Sequence, residues 1–149
     1  MRKIRILIVD DSITIRAMVE QILTNDPGIE VVGIAGNAAE AWAFMHDHLI
    51  DVVTLDIMMP GLNGLEFLSD IMTKAPLPVV MISSLTARGC AERGEALQRG
   101  ATACFDKATI ISNGKQLVAI IKRASRCNIN VLVNRDAIYP INTFSARQI

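Results

Sequence analysis

The spacing of apolar residues switches repeatedly along this chain. Ile4 to Val9 is a short run of β-branched and apolar residues, the pattern of a strand buried on both faces. Ile15, Met18, Val19, Ile22 and Leu23 then recur at helical spacing, and Asn25-Asp26-Pro27-Gly28 stops that helix. Ile29 to Ala35 predicts a second strand. Asn37, three residues before Glu40, suits the start of a helix whose inner face carries Ala38, Ala41, Trp42 and Met45. Asp51 to Leu55 predicts a third strand, and Leu65, Leu68 and Met72 mark a third helix. Pro76 and Pro78 separate that helix from a strand over Val79 to Ile82. A fourth helix fits Ala87 to Arg99 and ends at Gly100. A short strand follows at about Ala103 to Phe105, and Leu117, Ile120, Ile121 and Ala124 mark a last helix.

Five strand–helix units without repeated sequence predict an α/β fold, a doubly wound five-stranded parallel sheet with helices on both faces. In such sheets ligands bind beyond the carboxyl ends of the strands, where the strand order reverses. Chemistry is therefore expected just after Val9, Leu55, Ile82 and Phe105. Those ends carry Asp10-Asp11, Asp56, Ser83-Ser84 and Lys107. Asp11 and Ser12 have a plainer reading as caps of the first helix. That reading weakens once all four strand ends supply polar groups of complementary kinds. Two ionised carboxylates about 4 Å apart repel by roughly 4 kcal/mol at an effective dielectric near 20. Either one protonates or a cation binds. A small, hard, oxygen-lined site suits Mg²⁺. A carboxylate beside that metal and a lysine is a reasonable nucleophile toward phosphorus.

Length and composition narrow the setting. The 149 residues suit one domain. Fifteen basic residues balance fifteen acidic ones, so nothing suggests a nucleic-acid footprint. No apolar run approaches the roughly 18–20 residues of a membrane span. The opening MRKIRILIVDDS turns acidic where a signal peptide would continue apolar. Cys90, Cys104 and Cys127 form neither a CxxC pair nor a zinc pattern, so a cytoplasmic protein with reduced thiols is expected.

IRILIVDDS, VVTLDIMMPGLNGLEFL, PVVMISSLT and GATACFDK together resemble the receiver domain of two-component response regulators. The combination with D-x-x-M-P-x-x-x-G, Asp56 to Gly64, carries most of the specificity. PVVMISSLTARG is similar to the receiver of chemotaxis methylesterases, and the chain looks too short to hold the esterase domain as well. The resemblance covers about Ile4 to Arg126, so residues 1–126 are expected to form the receiver and 127–149 a tail of unknown role. It implies a flavodoxin-like fold and a phosphoprotein in signal transduction, with Asp56 as phosphoacceptor. It further implies that Asp11, Asp56 and the backbone carbonyl of Met58 ligate Mg²⁺, with Asp10 acting through a water. Lys107 would pair with Asp56 or its phosphoryl group. Ser83 would donate a hydroxyl hydrogen bond to the phosphoryl oxygen, and the Ser84 N–H would contact another. The implied donor is a histidine kinase or a histidine phosphotransfer protein. The implied output is a changed surface around the fourth helix, fifth strand and fifth helix, read by a protein partner the sequence does not name; a homodimer stays open.

Three residues depart from the family pattern. Ala108 stands where a proline with a cis bond usually follows the lysine, so the peptide is expected to be trans. The switch aromatic of the fifth strand falls on Cys104, while Phe105 would point to the opposite face unless a bulge intervenes. Met58 and Leu85 are apolar where the family flanks the path of the hydrolytic water, which predicts slow autodephosphorylation. Gly89 and Gly94 weaken the fourth helix, either for conformational switching or for close packing. His46 and His48 lie away from the expected site and read as solvated residues. In the tail, Ile129, Val131 and Val133 alternate with more polar positions, a weak strand signal. Two rival functions remain. An Asp-nucleophile hydrolase would need an acid at position 58, which is Met, and a substrate-covering cap. A non-phosphorylated interaction module would make no use of the complete acid site.

Overall fold

A computed structural model describes residues 2–59, 62–83 and 87–127. Five parallel strands form the main sheet: β1 (Ile4–Val9), β2 (Ile29–Ala35), β3 (Val52–Asp56), β6 (Val79–Ser83) and β7 (Ala103–Asp106). Their order is β2-β1-β3-β6-β7. A two-stranded hairpin of β4 (Met58–Met59) and β5 (Leu62–Asn63) follows β3. The helices are α1 (Ile13–Thr24), α2 (Ala38–Asp47), α3 (Gly64–Lys74), α4 (Ala87–Gln98) and α5 (Gly114–Ala124). The expected doubly wound sheet is thus observed. The strand order reverses at β1, whose neighbours are β2 on one side and β3 on the other.

Each strand supplies both faces of the sheet, as the continuous apolar runs require. Leu7, Val9, Val53, Leu55, Val79 and Met81 pack with α2, α3 and α4. Ile6, Ile8, Val52, Val80 and Ile82 pack with α1 and α5. Trp42 of α2 meets Phe67 of α3 edge-on, with ring centroids 5.4 Å apart. The helical stripes read from sequence are the ones that pack, from Val19 and Leu23 of α1 to Leu117, Ile121 and Ala124 of α5.

Caps set the helix starts. Ser12 accepts the Ile15 N–H at 3.2 Å and Asn37 accepts the Glu40 N–H at 2.9 Å. Ser12, not Asp11, is therefore the α1 cap, which leaves the exposed Asp11 carboxylate clear of that duty. α4 is closed by Gly100 at φ 112°, a backbone conformation that only glycine enters freely. Strand β2 carries one extra residue against β1: Ile6 pairs with Val31 but Leu7 pairs with Gly33, so Val32 bulges. A Cβ at Gly33 would lie 2.8 Å from Cγ of Phe44, so the α2 ring sits directly on this strand.

The fifth strand keeps a regular register, with Met81 opposite Cys104 and Ile82 opposite Phe105. Without a bulge, Phe105 is buried on the α1/α5 face and Cys104 lies on the α4 face. The Cys104 thiol approaches the Arg93 carbonyl of α4 at 3.9 Å, and burial pushes the thiol pKa up. Of the two readings of the α4 glycines, Gly94 answers one: a Cβ there would meet nothing within 4 Å, so packing does not require it. Residues 128–149, including the predicted tail strand, and Leu85 lie outside the described residues.

Candidate functional site

The carboxyl ends of β1, β3, β6 and β7 bring the expected polar groups together because these strands are successive neighbours in the sheet. Asp10 follows β1 and Asp56 closes β3; both are buried, while Asp11 is exposed. One carboxylate oxygen from each of Asp10, Asp11 and Asp56 lies within 4.8 Å of the others. Lys107, the first residue after β7, donates from Nζ to Oδ2 of Asp56 at 3.1 Å. The other Asp56 oxygen accepts the Met58 N–H at 3.2 Å. Asp10 accepts the Ser12 N–H at 2.8 Å, which holds its carboxylate over the start of α1.

The electrostatics are unbalanced. Burial pushes the Asp10 carboxyl above the usual carboxylate range, the Ser12 N–H and Lys107 pull it down, and Asp11 adds a further upward push. Burial likewise raises Asp56, reinforced by the Asp10 charge and opposed by Lys107 and the Met58 N–H. Lys107, with a smaller contribution from Arg16 at Asp10, thus faces three acids, a donor set of hard oxygens with excess negative charge. That set fits a small divalent cation such as Mg²⁺.

Ser83 ends β6 with its hydroxyl buried and without a hydrogen-bond partner among the described residues. Leaving a buried hydroxyl unpaired costs about 1–3 kcal/mol. Its neighbour Ser84 lies outside the described residues. Met58 is half exposed at the site's edge.

Gly64 closes the motif and braces the acid loop. Its N–H donates to the Ile57 carbonyl at 3.0 Å. A Cβ on it would fall 2.7 Å from Cα of Ile57 and closer still to the Asp56 carbonyl. Two local devices escaped the sequence reading. The β4–β5 hairpin is too short for periodicity to register. The turn at Lys107–Thr109, a single 3₁₀ turn capped by Asp106, had a signal in the aspartate two residues before Ala108, whose N–H it accepts at 3.0 Å. The peptide after Lys107 is trans, as Ala108 led one to expect; no cis bond occurs among the described residues.

A doubly wound sheet of flavodoxin type with an acid pocket at its switch point and a lysine on Asp56 defines a class of signalling domain. The chain belongs to the response regulator receiver domain family, whose model matches residues 6–122. It is 44% identical over 133 residues to a Caulobacter vibrioides protein-glutamate methylesterase/protein-glutamine glutaminase, a match covering 87% of this chain and 39% of that protein. A second such protein, from Agrobacterium fabrum, is 53% identical over 103 residues, covering 69% of this chain and 29% of the relative. The chain therefore spans well under half the length of these relatives and matches their receiver part. Among solved structures it is similar to the response regulator domain of Thermotoga maritima CheB, at TM-score 0.78 and 39% identity over 85% of this chain and 99% of that one. The NtrX receiver of Brucella abortus aligns at TM-score 0.74 and 34% identity, over 83% of this chain and 99% of that one.

Proposed function

We propose that this receiver accepts a phosphoryl group on Asp56 from the histidine of a kinase or phosphotransfer protein. The single observation that carries the proposal is the Lys107–Asp56 ion pair at 3.1 Å beside two further carboxylates. In the transfer, the donor's N–P bond breaks with its electron pair returning to the imidazole, and an O–P bond forms to an Asp56 carboxylate oxygen. Asp11, Asp56 and the Met58 carbonyl would hold Mg²⁺, with Asp10 acting through a water. Bound there, the ion supplies positive charge against the phosphoryl oxygens. Lys107 then neutralises one acyl-phosphate oxygen. Ser83 turns its unpaired hydroxyl toward another, which removes the cost of leaving it unbonded. The Ser84 N–H serves a third.

The output would leave through α4, β7 and α5. Because Cys104 replaces an aromatic on the α4 face, movement of Ser83 would be felt by Cys104 and the Arg93 carbonyl instead of by a rotating ring. The protein would act in the cytoplasm; no helix among the described residues is long and apolar enough to cross a membrane. Residues 1–126 would be the signalling unit and 127–149 an appendage.

Incubation with acetyl phosphate and Mg²⁺, read by intact mass, tests the proposal. The wild type should gain one phosphoryl mass and Asp56→Asn should gain none. No gain with any donor would leave a non-phosphorylated interaction module as the better reading.

A further inference from the structure

We propose that Asp106 is a positioning residue that holds Lys107 against Asp56. This rests on the reading of Asp56 as phosphoacceptor and goes beyond it to what aims the lysine.

Lys107 stands at a place where the sheet no longer restrains the chain. β7 is an outer strand among the described residues, and its last ladder pair is Ser83 with Asp106. A lysine has four flexible methylenes, so the direction of its backbone decides where the ammonium can rest. The next residue is Ala108 in a trans peptide, so no proline ring stiffens the loop.

Asp106 supplies the missing restraint. Its Oδ1 accepts the Ala108 N–H at 3.0 Å, and its backbone carbonyl accepts the Thr109 hydroxyl at 3.0 Å. The Lys107 carbonyl accepts the Ile110 N–H at 3.3 Å, closing the turn around the lysine. Ile110 is fully buried with α1 and α5, which anchors the far side of the turn. An aspartate beside a lysine could instead be its ion partner. Here the ammonium goes to Asp56 while the Asp106 carboxylate turns back to an amide. What the turn uses is an acceptor oxygen, not a negative charge.

The distinction is testable because asparagine keeps the acceptor and alanine removes it. Lysine acylation of the metal-free, donor-free protein, followed by peptide mass analysis, reports directly on how firmly Lys107 is held. Losing one cap shifts the turn's population by about fivefold. Asp106→Ala should therefore raise the Lys107 acylation rate about fivefold, while Asp106→Asn should match the wild type. With acetyl phosphate and Mg²⁺, the phosphorylation rate should fall in Asp106→Ala, by no more than that factor, and be retained in Asp106→Asn. Thr109→Val, which removes a second side-chain hydrogen bond of the turn, should move both readouts in the same direction and serves if Asp106→Ala folds poorly. Unchanged Lys107 acylation in Asp106→Ala would overturn the proposal. So would Asp106→Asn behaving like Asp106→Ala, since charge would then be the active property. If Asp56 took no phosphoryl group from any donor, the acylation arm would still decide the role of Asp106.

Discussion

Replacing Asp10 by Asn should make the metal-free protein more stable at neutral pH, although it damages the candidate site. Asp10 and Asp56 are both buried, and their oxygens lie within 4.8 Å. At an effective dielectric near 20, two charges at that distance repel by about 3.5 kcal/mol. Asn removes this repulsion and the cost of burying a charge, yet its Oδ1 can still accept the Ser12 N–H. It also forfeits attraction to Lys107 and Arg16, so a net gain of about 1–3 kcal/mol is expected by the same Coulomb arithmetic. For a chain of this size that is a rise of roughly 3–10 °C in melting temperature. The pH dependence has a definite sign. The folded-state pKa of Asp10 is raised, so the wild type loses stability as pH climbs from the unfolded value near 4 through the folded one. The advantage of Asp10→Asn should be greatest near pH 7.5 and shrink toward zero near pH 4. Thermal melts in EDTA at both pH values measure it, and Mg²⁺ should stabilise the wild type more than the variant. A variant that melts at or below the wild type at pH 7.5 would refute the reasoning.

Two glycines and Met58 offer further tests. Gly94→Ala should stabilise α4 by about 1 kcal/mol in a denaturant titration, because its Cβ enters open space. Gly64→Ala should cost about 1–3 kcal/mol and slow phosphorylation, since its Cβ presses on the Asp56–Ile57 backbone; unchanged melting would show that the loop yields freely. Met58→Asn should shorten the phosphoryl half-life severalfold by placing a polar group where an exposed apolar one now sits; an equal half-life would remove Met58 as the cause of slow hydrolysis.

Much of the fold was legible because its strands are buried on both faces. Their apolar runs stand out even without context, and β1 and β2 have the predicted bounds. β3 is displaced by one residue, starting at Val52; Asp51 donates its N–H to the Arg5 carbonyl, but the Arg5 N–H goes to its side chain and not to a strand carbonyl. The site was legible for a topological reason: four strand ends carried polar groups, and parallel neighbours necessarily bring those ends together. Strand order itself was not readable, since it depends on which helices cover which face. The role of Asp11 was also open, because a carboxylate after a strand can cap a helix as readily as bind a cation; only the Ser12 hydrogen bond separates the two. Asp106 was overlooked because an aspartate that accepts an amide two residues on is a common turn signal, and beside a lysine at a strand end it reads equally well as an ion partner.

The bulge at Val32 bears on how this protein can meet other chains. An outer strand with an unbroken ladder presents a regular row of N–H and C=O groups that a foreign strand can adopt. In β2 that row is interrupted at its middle, where Gly33 carries the Phe44 ring. The opposite border, β7, offers only four residues before the turn at Lys107 begins. Among the described residues, neither margin of the sheet is a good template for adding a strand. Among the described residues, side chains on the helices and loops are the better surface for recognition, and under the proposed function they are the parts a charge at Asp56 would rearrange.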